Sequence, residues 1–185
     1  MKGKSVVNYM SSHDDGSPYD KMRKVPFEAM TRLFLTPGAV QLYYGDETAR
    51  DLNVEAEGDA VLRSFMNWDE LSANAKKKDY TTNAVLDHTQ KLGKFRQRHI
   101  AVGAGRHKMI SESPYVFSRT YQDHDFRDGV VVGMNLPAGK TEIDVADIFA
   151  DGVFLTDAYT GNKAKVENGK VVFKNHEGLV LLERS

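Results

Sequence analysis

The stretch Val6-Val7-Asn8-Tyr9-Met10-Ser11-Ser12-His13-Asp14-Asp15-Gly16 decides the fold of the first half of the chain. It opens on two β-branched residues and continues into a polar cluster that holds one histidine and two carboxylates. This pattern predicts a buried strand that delivers charged side chains onto a loop at its C-terminal end. Because α/β enzymes keep their chemistry at the C-terminal ends of strands, His13 and Asp14 are candidate site residues.

A helix and a second strand are predicted after this loop. Pro26 suits a first helical position, where its missing N–H would have no partner, and apolar residues then recur at helical spacing. Residues 39–44 are apolar with little alternation, which is typical of a parallel strand that is covered on both faces. Strand, helix and strand form one βαβ unit, so Asp14 and the turn at residues 45–47 should share one edge.

The middle of the chain is less regular in sequence. Residues 48–77 are polar and low in periodicity, which favours a functional loop at the rim of the fold over an independent domain. Residues 76–78 are three lysines and are interpreted as the solvated entry to a helix. Residues 79–100 keep an imperfect helical spacing and predict that helix.

From Gly105 onwards the apolar residues follow the period of strands. Short apolar runs alternate with turn sequences such as Asp128-Gly129 and Asn168-Gly169, which predicts an antiparallel β-sandwich of roughly 80 residues. A hairpin is predicted over residues 165–173. The sequence therefore predicts an α/β domain over residues 1–102 and an all-β domain over residues 103–185.

Composition and charge narrow the range of partners. The 185 residues include 25 basic and 26 acidic side chains, and the net charge of −1 gives no bulk attraction to nucleic acid or to a membrane. The lack of cysteine excludes disulfides and thiolate metal sites but identifies no compartment. Residues 1–4 lead into the first strand without the apolar core of a signal peptide, so the export signal of any parent protein would lie elsewhere.

Several motifs, taken in order, resemble those of the α-amylase family, glycoside hydrolase family 13. They are Ser12-His13-Asp14, Pro37-Gly38, Tyr43-Tyr44-Gly45-Asp46-Glu47, the segment with Arg63, Met66 and Trp68, and Lys94-Phe95-Arg96. The resemblance implies the C-terminal part of such an enzyme. Its fold would be α/β plus all-β, with the last two βα units (strands and helices 7 and 8) of an incomplete (β/α)8 TIM barrel before an antiparallel β-sandwich.

The resemblance also implies roles for three residues. His13 would hydrogen-bond sugar hydroxyls, and Asp14 would be the catalytic carboxylate that stabilises a positively charged, oxocarbenium-like transition state. Ser12 stands where the family more often has asparagine, a departure that bears on the hydrogen bonds around the pair. Trp68 is the candidate for a sugar-facing aromatic ring, and a structural anchor formed with Phe65 is an equal alternative.

The same resemblance implies that essential groups are missing. Retaining glycosidases need a nucleophile and an acid/base about 5 Å apart, and in this family both come from barrel strands four and five. A whole barrel takes about 250 residues, whereas about 100 precede the β-rich region here. We therefore expect the chain alone to be catalytically incomplete and, with unpaired strand edges, to self-associate.

The expected substrate of the parent enzyme is an α-glucan of the starch or maltodextrin type. No cofactor is expected in this chain, calcium could bind elsewhere in the parent, and the parent could be periplasmic or secreted. The alternative, from a different functional class, is a non-catalytic β module that binds carbohydrate or supports the barrel.

Other polar residues carry weaker interpretations. Asp46 and Glu47 could contact sugar or act structurally. The acidic residues at 123, 125 and 128 fail the spacing of a calcium loop and predict a charged hairpin turn. His107, His124 and His176 show no metal-ligand spacing, so no metal site is predicted.

Overall fold

The structure, a computed structural model, describes residues 5–185. Residues 1–4, on which the inference about a signal peptide rests, lie outside the described residues. The chain divides into two compact units: the first ends at Lys94, and the second is Phe95–Ser185. The predicted domain boundary after residue 102 stays a prediction. Within the described part of the chain, no helix has both the length and the apolar character needed to cross a membrane.

The first unit begins with the predicted strand, helix and strand. Strand β1 (Val7–Asn8) and strand β2 (Ala39–Val40) pair in parallel, and helix α1 (Pro26–Leu35) connects them. The helix begins at the proline, as predicted, and it buries the apolar residues Ala29, Met30 and Leu33. The βαβ arrangement is therefore present.

The two strands are shorter and more exposed than the sequence predicts. Val7 is 59% exposed, and Ala39 on the neighbouring strand is also exposed. The predictions of a buried first strand and of a second strand covered on both faces are therefore wrong. Among the described residues each strand has only one neighbour, and a parallel strand becomes fully buried only inside a wider, covered sheet.

The segment predicted as a long loop contains regular structure. Two 3₁₀ turns, Asp46–Thr48 and Gly58–Val61, precede a short helix α2 (Trp68–Ala73). Leu62, fully buried between these elements, anchors the segment to the first unit. Burial of one such side chain contributes about 1.5–3 kcal/mol, which offsets the cost of ordering about one or two residues.

The three lysines do not enter a helix directly. Strand β3 (Lys76–Lys77) pairs antiparallel with strand β4 (Tyr80–Thr81). Lys78 between them has φ +43°, a left-handed conformation that a right-handed helix cannot contain, so the predicted helix entry is wrong. Helix α3 (Thr82–Arg98) follows and lies within the predicted range of 79–100.

The second unit is rich in strands. A short helix α4 (Ile100–Ala104) precedes them. They are β5 (Arg106–Ser111), β6 (Tyr115–Asp123), β7 (Phe126–Met134), β8 (Thr141–Asp144), β9 (Phe154–Asp157), β10 (Lys163–Lys165), β11 (Lys170–Phe173) and β12 (Leu179–Arg184). Six of them form an antiparallel sheet in the order β10-β9-β12-β7-β6-β5, and β11 pairs with β8 in a second antiparallel sheet.

Both sheets contribute side chains to one apolar core. Val131, Val180 and Leu182 come from the six-stranded sheet, and Ile143 and Val171 come from the two-stranded sheet. All five are at most 2% exposed. Two antiparallel sheets that bury their inner faces against each other have the layered arrangement that a β-sandwich requires.

The hairpin predicted over residues 165–173 forms only at its tip. Asn168 and Gly169 both have positive φ, as a tight hairpin turn needs, and Glu167 bridges Lys170. Beyond this bridge, β10 pairs with β9 and β11 pairs with β8, so the longer hairpin is wrong. The turn sequence determines the local reversal, whereas the pairing partners follow from burial in the core.

Candidate active site

His13 and Asp14 lie side by side on the loop that follows β1. The Nε2 atom of His13 is 2.8 Å from Oδ2 of Asp14, and the two side chains are 65% and 61% exposed. The backbone N–H of Asp14 donates to the hydroxyl of Ser12 at 3.3 Å. The serine that departs from the family pattern thus helps to shape this loop, and the pair is open to a ligand.

Arg63 contacts both members of the pair. Its Nη2 donates to Oδ1 of Asp14 at 3.0 Å, and its Nε donates to the backbone carbonyl of His13 at 3.2 Å. The same Nη2 donates to Asp59 at 2.9 Å. Exposed ion pairs contribute only about 0.2–1 kcal/mol to stability, so the main effect of Arg63 is to orient Asp14.

A buried network lies next to this loop. Ser11 donates to Oδ2 of Asp46 at 2.7 Å, and Arg23 donates to Oδ1 of the same carboxylate at 2.8 Å. The side chains of Arg23 and Asp46 are 5% and 0% exposed. This contact confirms that the loop after β1 meets the turn after β2, and it gives Asp46 a structural role, one of the two readings that the sequence left open.

Arg50 fixes the backbone from which Arg63 extends. It is 1% exposed, and its guanidinium donates to the carbonyls of Tyr44, Leu62 and Ser64 at 3.2, 3.2 and 2.8 Å. Two of these carbonyls flank Arg63 in the chain. Burial lowers the pKa of Arg50, but a guanidinium remains charged at neutral pH.

Gly45 makes the approach of Arg50 possible. A Cβ atom at Gly45 would lie 2.4 Å from Nε of Arg50, and its φ of +84° is strained for any residue with a side chain. The packing of Arg50 therefore explains why a glycine stands in the Tyr-Tyr-Gly-Asp-Glu motif. It allows the buried guanidinium to pack against the strand end.

Glu47 is half-buried next to this turn. Its Oε2 atom has no hydrogen-bond partner among the described residues. Burial raises the pKa of the Glu47 carboxyl, and backbone hydrogen bonds at Glu47 itself and Gly45 oppose the shift. The Glu47 carboxyl is therefore more readily protonated than that of a glutamate exposed to solvent.

Trp68 and Phe65 are both exposed. Trp68 is the first residue of α2 and is 67% exposed, while Phe65 is 97% exposed. Asn67, which precedes the tryptophan, accepts a hydrogen bond from Thr48 at 2.8 Å and so holds the start of the helix. An anchoring side chain is normally buried, and neither ring is buried here, so the anchor alternative is not supported, while the contact of Trp68 with sugar stays a prediction.

The remaining predicted residues lie outside this site. Asp123 pairs with Phe126 across the β6–β7 turn that contains Asp125, as predicted, whereas Asp128 lies on β7 opposite Tyr121. Two of the histidines for which no metal role is predicted lie in the second unit. The ring centroid of His107 is 4.9 Å from that of Phe117, and the side chain of His124 is exposed. In the described range 5–185, no group of three or more histidine and acidic side chains could hold a metal ion.

A second charged cluster, in the unit Phe95–Ser185, has no counterpart in the sequence analysis. His99 lies 2.8 Å from Asp128 and 2.7 Å from Glu183, one carboxylate at each ring nitrogen. Arg98 contacts Glu183 with two nitrogens, and the N–H of Ala101 donates to Asp128 at 2.8 Å. Its contacts join residues that are 27 to 85 positions apart in the sequence, so no local spacing could reveal the cluster.

The comparisons with known proteins show that this fold is similar to that of solved α-amylases. The chain resembles the solved α-amylase of Anoxybacillus, with a TM-score of 0.63 and 19% identity over 95% of this chain and 37% of that one. It also resembles the α-amylase of Geobacillus thermoleovorans complexed with acarbose, with a TM-score of 0.63 and 18% identity, over 97% of this chain and 39% of that one. At these identities the likeness shows the fold alone.

A curated relative gives a likeness in sequence. The chain is 34% identical over 125 residues to the periplasmic α-amylase of Escherichia coli (strain K12), over 66% of this chain and 17% of that protein. The chain thus covers less than a fifth of that relative. No protein-family model matches it. The comparisons confirm the predicted resemblance to the α-amylase family and support a C-terminal part of a family 13 enzyme.

Proposed function

We propose that the chain is part of a retaining glycoside hydrolase that cleaves α-glucans of the starch or maltodextrin type. In this proposal residues 1–102 supply the last two βα units of a (β/α)8 barrel, and residues 103–185 supply the C-terminal β-sandwich. The observation that carries the proposal is the exposed His13–Asp14 pair at the end of a parallel strand. The periplasmic relative supports a periplasmic or secreted parent.

Asp14 is the carboxylate that acts on the transition state in this proposal. Cleavage of a glycosidic bond develops positive charge on the sugar ring, and a carboxylate held in place favours that charge over the neutral ground state. Arg63 holds Oδ1 of Asp14, while His13 lies on Oδ2. His13 hydrogen-bonds sugar hydroxyls in this proposal, through the ring nitrogen that does not face Asp14.

Trp68 supplies an aromatic face for a sugar ring. Stacking uses the apolar C–H face of the sugar, and the 67% exposure of Trp68 supports its availability for that contact. The chain has one tryptophan, so its fluorescence reports on this position alone.

The nucleophile and the acid/base come from parts of the parent enzyme beyond this chain. Three of the neighbouring carboxylates already have other partners, which supports this assignment. Asp46 is buried against Arg23, Asp59 contacts Arg63, and Asp15 accepts a hydrogen bond from the backbone of Ser17. In this proposal the 185-residue chain binds glucan weakly and does not hydrolyse it.

The test is a titration of the purified chain with maltotriose, followed by tryptophan fluorescence. We expect a saturable change in the wild type and a several-fold weaker affinity in His13→Ala, which loses a hydrogen-bond partner of the sugar. His124→Ala is the matched control, because that histidine is 94% exposed in the β6–β7 turn. No fluorescence change at millimolar maltotriose, or equal losses in both variants, would contradict the assigned site.

A further inference from the structure

An open groove of about 1030 Å³ lies at one end of the six-stranded sheet, within the unit Phe95–Ser185. Its lining includes three arginines on three different strands: Arg106 on β5, Arg127 on β7 and Arg184 on β12. Tyr121 and Phe149 line it as well. The groove is thus both cationic and partly aromatic.

Strand alternation puts two of the arginines on the face of the sheet that carries the core. Arg127 is four residues before Val131 on β7, and Arg184 is two residues after Leu182 on β12. Both apolar residues belong to the core. Since residues separated by an even number share a face of a strand, both arginines continue the core face beyond the apolar residues.

The third arginine reaches the same face through the strand register. Arg106 pairs with Thr120, which in turn pairs with Gly129, two residues after Arg127. A Cβ atom at Gly129 would come within 3.1 Å of a methyl group of Ile148. A side chain at position 129 would reduce the space between the arginines, and the glycine leaves that space open.

The acidic residues of the groove are already engaged. Asp128 accepts hydrogen bonds from His99 and from the N–H of Ala101, and Asp147 is paired with Lys108. In the part of the chain that the structure describes, Arg106, Arg127 and Arg184 form no ion pair. Three cationic side chains without carboxylate partners thus face one groove in a chain whose net charge is −1.

We propose that this groove binds a small sugar phosphate. Guanidinium groups match phosphate oxygens with paired N–H donors, and several of them are needed to balance a dianion. The groove is much larger than a phosphate ion and so has room for a sugar as well, and Ile148 and Phe149 add apolar surface to its lining. This site is separate from His13 and Asp14 and does not depend on the proposed hydrolase role.

Calorimetric titration of the full 185-residue chain with glucose 6-phosphate at low ionic strength tests the proposal. We expect saturable binding that weakens as salt is added, weaker binding of inorganic phosphate, and none of glucose. Arg127→Gln and Arg184→Gln should each weaken binding about tenfold, the effect of one charge-assisted contact.

Lys165→Gln is the matched control, because it removes one positive charge from the same sheet on β10, away from the groove. It should bind like the wild type, and thermal unfolding would show that each variant is folded. An equal loss in Lys165→Gln would assign the binding to bulk charge and overturn the site. Undetectable binding of glucose 6-phosphate at millimolar concentration, or equal affinity for inorganic phosphate, would overturn the sugar phosphate as its ligand.

Discussion

At the scale of single residues, the site depends on contacts that no local motif encodes. Asp14 is positioned by Arg63, 49 residues later, and the backbone around Arg63 is fixed by the buried Arg50. Arg63 enters the sequence analysis only as part of a family motif, without a role. A sequence pattern can place a carboxylate at a strand end, whereas its orienting partner becomes visible only in three dimensions.

Glu47 predicts a pH dependence of stability at the same scale. Burial raises the pKa of its carboxyl above the ordinary 4.5, so the folded state favours the protonated form. The protonated carboxyl therefore stabilises the folded state at pH values below the ordinary pKa. This contribution is lost as the pH rises through the raised pKa of the folded state. Glu47→Gln, which mimics the protonated form, should therefore gain stability relative to the wild type as the pH rises.

Urea unfolding at several pH values between 4 and 7.5 measures this difference. The exposed Glu55→Gln serves as the control and should show no such trend. If the free energies of unfolding of the wild type and of Glu47→Gln change in parallel over the whole pH range, the buried carboxyl is not the cause of the pH dependence.

At the scale of elements, the sequence predicts some features well and others poorly, for physical reasons. The start of α1 follows from Pro26, and the β6–β7 turn follows from a local acidic segment. Both signals are contained within a few residues. The exposure of β1 and the pairing of β10 depend on neighbours distant in the chain, so their own residues could not reveal them.

The short helix α4 depends on the cluster around His99. Asp128 on β7 and Glu183 on β12 each hold one ring nitrogen, and Asp128 also accepts from the first turn of the helix. His99→Ala leaves two half-buried carboxylates without this partner, and we expect a loss of about 1–3 kcal/mol in unfolding free energy. His124→Ala should change it by less than about 0.5 kcal/mol.

Thermal and urea unfolding of both histidine variants measures the effect. Hydrogen exchange at the amides of residues 100–104 adds a local measurement, because the cluster contacts the N-terminal turn of α4. If His99→Ala has the same unfolding free energy and the same amide exchange as the wild type, the cluster has no structural role.

At the scale of the whole molecule, the parallel pair β1 and β2 leaves strand edges without partners among the described residues. Val7, Leu42 and Tyr44 near these edges are 59%, 40% and 43% exposed. Exposed edges and apolar side chains favour pairing between copies. Light scattering should therefore show a mass that rises with concentration. A monomer mass that is constant across concentrations would contradict this prediction.

We propose that the chain carries one functional part of an α-amylase-type site without its nucleophile and acid/base. The most direct test is release of reducing sugar from soluble starch by the purified 185-residue chain, with Asp14→Asn beside it to control for contaminating amylase. Circular dichroism of both samples would establish that they are folded. We expect no release by either protein. Release by the wild type that disappears in Asp14→Asn would show that this chain holds a complete catalytic site and would contradict the claim.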